Sequence, residues 1–297
     1  MKRVLLCEPN ISEGRDLQVV EQVVDQVRRV EEVKILDYSS DADHHRSVLT
    51  YLGEPDAVLE ATNAMAAKAL ELIDMTKHQG AHPRIGAVDV VPFVPVRNVE
   101  TEEAVEVARQ FGKFVGGLGV PVYYYEEAAT RPERQKLPTI RKGQYEALEE
   151  KLKDPAWVPD EGPATFNAKS GAMVTGVRFP LIAFNVNLRT TDLSIAKRIA
   201  KAVRHINGGY RYVRAIGLSL EEEGMVQVSM NLVNYAKTPI PRVFETIRSE
   251  SARYGVNVAG AELVGPVPLG ALEEVLKHYL QVHDFSLEQI IETAILD

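Results

Sequence analysis

The residues of this chain that could carry chemistry are concentrated in residues 74–95, which read D-M-T-K-H-Q-G-A-H-P-R-I-G-A-V-D-V-V-P-F-V-P. Imidazole titrates near neutrality, so a positioned His82 can take up and return a proton, and the adjacent Arg84 can grip a carboxylate with two N–H groups. The stretch joins an apolar run of helical periodicity to an apolar run typical of a strand, and loops between buried elements often carry function. Residue types alone leave His82, Pro83 and Arg84 open between a structural turn and a site, and for His78 they favour a turn or surface position.

A second polar cluster lies in residues 37–46, with the sequence D-Y-S-S-D-A-D-H-H-R. It holds three aspartates, two adjacent histidines and one arginine, and Asp and His are ligands for hard and borderline metal ions. The spacing matches no helix-borne or zinc-type ligand pattern. We therefore predict no metal site here and favour a solvated polar connection.

A third candidate is the glycine-bearing stretch of residues 163–176. Gly171 and Gly176 suit close approach of the backbone to a ligand, and their exposed amides would bind the polar edge of a ring or an anion. Taken alone, the stretch is more simply an ordinary linker rich in Gly and Ser. The preceding basic run, residues 131–142, predicts a solvated face or a patch that attracts an anionic ligand.

The sequence of residues 74–97 resembles the formiminotransferase domain of glutamate formimidoyltransferases, whose pattern reads D-M-x-x-H-x-G-x-H-P-R-x-G-A-x-D-x-x-P-F-x-P-V-R. This chain fits the pattern at every position. The similarity continues through E-P-N-I-S-E-G, L-P-x-I-R-x-G-x-Y-E-A-L, P-A-T-F…S-G-A and A-F-N-V-N-L. It covers most of the chain and is far more specific than a lone H-P-R.

The resemblance implies roles for individual side chains. The second histidine of the motif is the catalytic acid and base of that family, and it falls on His82 here. Substrate-binding roles are implied for Arg84, Arg46, Asp41, Asp43 and Asn10. Mammalian members carry Asp at the position of Ser39, and the family usually carries Asn at the position of His45. The carboxylate that would face the catalytic histidine is therefore expected from Asp41 or Asp43, or is missing.

The resemblance also implies that the third candidate stretch contacts folate. The residues concerned are Pro163, Ala164, Thr165, Phe166, Asn167, Ala168, Lys169, Ser170, Gly171 and Ala172. Tetrahydrofolate would be a co-substrate that carries the one-carbon unit, so neither a metal nor a redox cofactor is expected. The basic run before it would then steer the anionic folate tail.

The composition of the chain narrows the class of protein. A net charge of -8 argues against a broad nucleic-acid surface, while a local basic cleft for a small anion stays open. The only cysteine, Cys7, lies in an apolar run, which predicts a buried inert thiol and no disulfide within the chain. No run is long enough to span a bilayer, and the N-terminus lacks a signal-peptide pattern. We therefore expect a cytoplasmic protein without membrane or nucleic-acid partners.

The order of periodic runs predicts a mixed α/β fold of the α+β type. Residues 1–178 and 179–297 each contain a β-α-β-β-α-β order, which suggests two ferredoxin-like subdomains, each a sheet covered by helices, with the catalytic loop 74–95 in the first. Alternating residues around E-E-E-G predict a hairpin in the second. Residues 126–178 are broken by prolines and predict either a linker or a set of functional loops.

The resemblance implies transfer of a formimino group between 5-formiminotetrahydrofolate and glutamate, within one-carbon metabolism and histidine degradation. Two alternatives stay open: an enzyme that uses 5-formyltetrahydrofolate, as a formyltransferase or in a cyclo-ligase-like reaction, and a folate-binding protein without turnover. The family habit predicts a homodimer. Because the chain ends at Asp297, a separate cyclodeaminase is expected to process the product.

Overall fold

The computed structural model describes residues 3–295 and divides the chain into two compact units, residues 1–178 and 179–297. The mixed α/β class predicted from the sequence is confirmed, because each unit builds a β-sheet covered by helices. Within residues 3–295, no helix combines the length and the apolar character needed to cross a membrane.

The sheet of the first unit has seven strands: β1 (Val4–Cys7), β2 (Asn10–Ile11), β3 (Val33–Asp41), β4 (Arg46–Gly53), β5 (Val88–Arg97), β6 (Val122–Glu126) and β7 (Met173–Val177). Across the sheet the order is β3, β4, then β1 and β2 together, β5, β7 and β6. β1 and β2 form one interrupted line that runs antiparallel to both β4 and β5. The strands β5, β7 and β6 are parallel, and strands covered on both faces read as nearly continuous apolar runs.

Three helices cover one face of this sheet: α1 (Leu17–Arg28), α2 (Pro55–Leu72) and α3 (Thr101–Gly117). The buried side of α1 consists of four valines at helical spacing, and the Asp16 carboxylate caps its first turn by accepting hydrogen bonds from two backbone N–H groups. Pro55 opens α2, where its missing N–H costs nothing. The loop that follows α2 is thus held between a buried helix and the buried strand β5.

The opposite face of the parallel strands is covered by residues 126–172. This segment contains two four-residue helices, α4 (Leu137–Ile140) and α5 (Leu148–Lys151). Ile140 and Leu148 are buried against two tyrosines of β6. The linker interpretation of this segment is therefore wrong, because its apolar side chains form a packed layer on the sheet.

Strand β7 lies inside the stretch that the sequence suggested was irregular. All five of its residues are buried between β5 and β6. A Cβ atom on Gly176 would lie 2.2 Å from the carbonyl oxygen of Tyr125, so glycine at this position permits the strands to pair. The expectation that Gly176 offers an exposed amide to a ligand is wrong.

The second unit has one antiparallel sheet of four strands: β8 (Ile182–Leu188), β9 (Val213–Leu220), β10 (Met225–Leu232) and β11 (Val258–Val264). They lie in the order β11, β8, β10, β9. Three helices accompany them, with α6 after β8, α7 after β10 and α8 after β11: α6 (Leu193–Val203), α7 (Ile240–Ala252) and α8 (Leu269–Leu280). The predicted hairpin is confirmed as β9 and β10, which pair Leu220 with Met225 at the turn.

Candidate active site

A cavity of about 390 Å³ lies on the sheet face opposite helices α1 to α3. Its walls are formed by Ser39, Ser40, Asp41, His44, Arg46, Val48 and His82. Asp41 pairs with Arg46 across β3 and β4, and Ser39 pairs with Val48, so these side chains project to one face of the sheet. The next residue, Leu49, belongs to the core beneath the helices, which assigns the cavity to the other face.

The loop that carries His82 lies across the turn between β3 and β4. The Ala81 N–H group donates a hydrogen bond to the carbonyl oxygen of Asp43 at 3.1 Å. A Cβ atom on Gly80 would lie 2.3 Å from the carbonyl oxygen of His44, so this approach requires glycine. The two segments thereby bring His82 and residues 41–46 to the same cavity.

Two stacked imidazoles fasten the same segments together. The rings of His45 and His78 lie 4.3 Å apart with an interplanar angle of 11°. His78 Nε2–H donates to the His45 carbonyl oxygen at 2.8 Å, and Arg84 Nε–H donates to His78 Nδ1 at 3.1 Å, so His78 is neutral with its proton on Nε2. Burial lowers the pKa of His78, in agreement with that form. His78 ends the turn of Met75–Lys77 and is 6% exposed, so of the expected turn or surface position only the surface part is wrong.

His82 and Arg46 are in direct contact at the cavity wall. Arg46 donates from Nη1 to Nε2 of His82 and from Nη2 to the side-chain oxygen of Asn10. Asn10 is buried on β2, next to β4. Burial of His82, together with the positive charges of Arg46 and Arg141, lowers its pKa to about 4. In the absence of ligand His82 is therefore neutral at neutral pH, with the lone pair of Nε2 engaged by Arg46.

The Arg46 guanidinium keeps its charge although it is partly buried. Burial lowers its pKa to about 10, with the charge of Asp89 acting in the opposite direction. Its Nε–H group has no hydrogen-bond partner among the residues that the structure describes. A guanidinium that lines a cavity and keeps its charge is suited to an anionic group of a ligand.

The two aspartates expected to supply a carboxylate to His82 differ in position. Asp41 lines the cavity, but its carboxylate is bound to His44, accepting from the backbone N–H at 2.8 Å and lying 2.8 Å from Nδ1. Asp43 is exposed and does not line the cavity; its carbonyl oxygen binds Ala81. Neither carboxylate is hydrogen-bonded to His82. Which carboxylate, if any, serves His82 stays a prediction, and Asp41 is the one of the two that lines the cavity.

Arg84 is held by side chains of the protein itself. It is 7% exposed, and its two Nη atoms donate to the Glu146 carboxylate at 2.9 and 2.6 Å. Its Nε–H group is bound to His78. A substrate carboxylate would reach the guanidinium only by displacing Glu146, so the geometry favours Arg46 over Arg84 for that role.

The stretch of residues 163–172 lies against the loop that carries His82. Ala87 N–H donates to the Ser170 carbonyl oxygen and Ala172 N–H to the Ile85 carbonyl oxygen, both at 2.9 Å. The Gly171 N–H group is bound to the Asn167 carbonyl oxygen at 2.7 Å. Gly171 has a φ of 69° and lies so close to Ile85 that a Cβ would meet its carbonyl oxygen at 2.2 Å. The expectation that Gly171 offers an exposed amide to a ligand is therefore wrong. Its N–H group is bound to Asn167, and the backbone of Ile85 fills the space beside it.

The accessible part of this stretch comes earlier. Ala164, Thr165, Ala168 and Lys169 are exposed, whereas Ser170, Gly171 and Ala172 are buried. The ring of Phe166 is half-exposed and lies 5.5 Å from the ring of Tyr145. Tyr145 donates its hydroxyl to the Ala168 carbonyl oxygen at 2.6 Å. An aromatic ligand would meet these rings rather than the buried glycine.

Comparison with known families identifies both units. Residues 4–178 match the profile described as the formiminotransferase domain, N-terminal subdomain, and residues 183–296 match the profile described as the formiminotransferase domain. The chain belongs to the formiminotransferase domain family.

Several members of the formiminotransferase family are similar over nearly the whole chain. A glutamate formimidoyltransferase of Streptococcus pyogenes serotype M1 is 47% identical over 298 residues, which cover 100% of both proteins. A glutamate formimidoyltransferase of Thermoplasma acidophilum is 47% identical over 96% of this chain and 95% of its own length. A formimidoyltransferase-cyclodeaminase of Mus musculus is 44% identical over 94% of this chain, which spans 53% of that longer protein.

The departure of this chain from the formiminotransferase pattern at His45 has a physical explanation. His45 has a φ of 49°, in the left-handed region that Asn and His enter more readily than most residues. Its Nδ1 atom lies 3.0 Å from the Gln79 carbonyl oxygen and its Nε2 atom 3.1 Å from the Glu13 carboxylate. Burial raises the pKa of Glu13, but hydrogen bonds from the Asp16 and Arg15 N–H groups and the contact with His45 outweigh it and lower that pKa. His45 thus fastens the turn and does not line the cavity.

The basic run of residues 131–142 is only partly solvated: Lys136 and Lys142 are exposed, whereas Arg134 is buried and Arg141 is half-buried. Arg134 is 0% exposed; it lies 3.3 Å from the Asp160 carboxylate and donates to two backbone carbonyl oxygens. Arg141 is paired with Asp89, whose other carboxylate oxygen accepts the Ile85 N–H at 2.9 Å. The solvated-face interpretation is wrong for these two arginines. The Asp89–Arg141 pair holds the layer of residues 126–172 to the start of β5.

The polar cluster of residues 37–46 holds aspartates and histidines, the side-chain types that could ligate a metal ion. Among residues 3–295, no group of three or more His, Cys, Asp and Glu side chains is placed to hold a metal ion. Asp41 and His44 bind each other, and His45 binds Glu13.

Proposed function

We propose that this chain transfers a formimino group between 5-formiminotetrahydrofolate and glutamate, with His82 as general acid and base. The observation that carries the proposal is the contact of a neutral imidazole with a charged guanidinium, His82 with Arg46, at the wall of one cavity in a formiminotransferase-family chain. The names of the Streptococcus and Thermoplasma relatives support the reaction.

The reaction requires two proton movements at two nitrogen atoms. The glutamate amine attacks the formimino carbon, and the nitrogen of the new C–N bond loses a proton. The bond between that carbon and N5 of the folate then breaks, its electron pair stays on N5, and N5 gains a proton. A base that is neutral at neutral pH is suited to the first step, and His82 meets that condition because its pKa is about 4.

Arg46 links substrate binding to the reactivity of His82. A glutamate carboxylate that takes hydrogen bonds from Arg46 would withdraw Nη1 from Nε2 of His82 and free the lone pair. It would also offset the positive charge that lowers the His82 pKa, which makes the imidazole a stronger base. Asn10 would hold the guanidinium in place through its side-chain oxygen.

The Arg46 proposal predicts a change in substrate binding. In Arg46→Gln we expect the KM for the glutamate substrate to rise by about 10- to 150-fold, the equivalent of about 1.5–3 kcal/mol for a charged hydrogen bond. The acid limb of kcat/KM should move to higher pH, because a positive charge that lowers the His82 pKa is gone. Steady-state kinetics across pH measure both. Arg46→Lys keeps the charge and should retain part of the affinity; an unchanged KM in Arg46→Gln would remove Arg46 from substrate binding.

Tetrahydrofolate is proposed as co-substrate, held in part by residues 163–172. Phe166 and Tyr145 offer aromatic surface, and Lys169 offers a positive charge near an anionic folate tail. The remaining proposals follow the formiminotransferase family: a homodimer in the cytoplasm that acts in histidine degradation, with a separate cyclodeaminase taking the product. The name of the Mus musculus relative supports the link to a cyclodeaminase.

A chelator should leave the activity unchanged. We expect equal turnover before and after treatment with excess EDTA followed by gel filtration, because the folate carries the one-carbon unit and the proposed proton transfers use imidazole. Turnover measured with and without added divalent ions checks this. Loss of activity that one divalent ion restores would show that a metal takes part.

The donor is tested by comparing formimino and formyl substrates. Purified protein is supplied with tetrahydrofolate and either N-formiminoglutamate or N-formylglutamate, and the folate products are separated by chromatography. The proposal predicts faster transfer from the formimino donor. Faster formyl transfer would favour the 5-formyltetrahydrofolate alternative. Thermal stabilisation by 5-formyltetrahydrofolate without transfer from either donor would favour a folate-binding protein.

A further inference from the structure

His44 is a second histidine at the cavity that the proposed mechanism has not used. Its ring lies 6.2 Å from the ring of His82, edge to face at 64°, and both line the same cavity. The side chain of His44 is 52% exposed, so solvent and ligands reach it. The residue types of residues 37–46 suggested only a solvated connection or a metal site.

Asp41 fixes the orientation and the tautomer of His44. One carboxylate oxygen accepts the backbone N–H of His44 and the other lies 2.8 Å from Nδ1, so Nδ1 carries the proton. Nε2 is left without a partner in the described part of the chain, and it is the nitrogen able to exchange a proton with a ligand. Asp41 thereby holds the His44 ring in one orientation, as a carboxylate does for a catalytic histidine.

The two histidines of the cavity have opposite electrostatic surroundings. His82 accepts a hydrogen bond at Nε2 from a guanidinium, whereas His44 donates one from Nδ1 to a carboxylate. Three other charged or titratable side chains line the cavity with His44. They are Asp41 from the end of β3, Arg46 from β4 and His82 from the loop after α2. Glu13 faces His45 and not His44. Two titratable groups whose surroundings differ in this way are suited to act as separate base and acid.

We propose that His44, oriented by Asp41, is a second catalytic residue that takes over the acid role from His82 and donates the proton to the departing N5, so that His82 acts as the base; this rests on the proposed formimino transfer. His82 takes the proton that the attacking amine loses, and the His44 imidazolium protonates N5 as its bond to the formimino carbon breaks. The glutamate nitrogen thus loses one proton, and N5 of the folate gains one. Return of the proton from His82 to His44 resets the pair.

The test is the pH dependence of formimino transfer from 5-formiminotetrahydrofolate to glutamate, the direction in which N5 departs, in full-length variants. In His44→Asn we expect kcat to fall by about 100-fold or more, as for a lost general acid. The alkaline limb of the kcat profile, which reports an acid that must be protonated, should disappear. In Asp41→Asn the carboxylate that orients His44 is lost, so kcat should fall while KM changes little. His205→Asn replaces an exposed histidine of the second unit and is the matched control.

A structural role for His44 would not reproduce these results. In His44→Ala, added imidazole should restore part of the turnover, and the melting temperature should match that of the control. A kcat within twofold of His205→Asn with an unchanged alkaline limb would overturn the proposal while leaving formimino transfer intact. A wild type without transfer from the formimino donor would instead overturn the proposed function, and this inference with it.

Discussion

When His82 is replaced by alanine, we expect turnover to fall by about two to four orders of magnitude, the loss typical of a removed general acid or base. His82 is the imidazole that contacts Arg46 at the cavity, and no other described side chain combines that contact with a position in the cavity wall. Steady-state formimino transfer measures the effect. His205→Asn, an exposed histidine of the second unit, should keep wild-type turnover.

Folate binding should survive the loss of His82. Reduced folate at a hundredfold excess over Kd stabilises the folded state by about 2.7 kcal/mol. We expect 5-formyltetrahydrofolate to raise the melting temperature of His82→Ala as much as that of the wild type. Near-normal kcat in this variant would remove His82 from the mechanism, and loss of the thermal shift would assign it to folate binding instead.

In Asp89→Asn we expect a loss of about 3–5 kcal/mol of unfolding free energy, because removing one partner of a buried pair leaves the other charge uncompensated. Asp89 is 1% exposed, and the Arg141 side chain with which it pairs is 14% exposed. The Nε–H group of Arg141 already lacks a partner among the described residues. The amide of the variant still accepts the Ile85 N–H, so the change isolates the charge.

The measurement uses urea unfolding followed by fluorescence of Trp157. It is the only tryptophan of the chain and lies in the layer that Arg141 belongs to, so the signal reports the first unit. Asp25→Asn is the matched control, because Asp25 pairs with Arg28 at 2.6 Å with both side chains well exposed. Such exposed pairs contribute about 0–1 kcal/mol. Equal losses of unfolding free energy in the two variants would show that solvent screens the Asp89–Arg141 pair as it does an exposed pair.

Local patterns predicted the parts of the fold that local physics determines. The valines of α1 recur every three or four residues, and the E-E-E-G turn marks the β9–β10 hairpin, so both were found from the sequence. Strand β7 was missed because its five residues carry a glycine and pair with strands at distant positions in the chain. Its apolar run is too short to indicate a strand without those partners.

The sequence singled out the loop that carries the candidate site, but not the side chains with which the charged residues of that loop form ion pairs. Asp89 lies in the apolar run that forms β5. A carboxylate buried in such a run requires a cationic partner, so its position predicts an ion pair. The sequence gives no means of choosing Arg141, 52 residues further on. In the same way, Arg84 beside His82 suggested a carboxylate site, but its Nη atoms bind Glu146, 62 residues away. Ion pairs formed by folding follow from topology, which residue spacing does not reveal.

The proposed formimino transfer is tested most directly by following the one-carbon unit itself. The purified protein is incubated with tetrahydrofolate and N-formiminoglutamate that carries an isotopic label on the formimino carbon, and both products are measured by mass spectrometry. We predict labelled 5-formiminotetrahydrofolate and an equal amount of glutamate from the wild type, and neither above background from His82→Asn. Unlabelled folate recovered from a wild-type protein that binds 5-formyltetrahydrofolate would contradict the account.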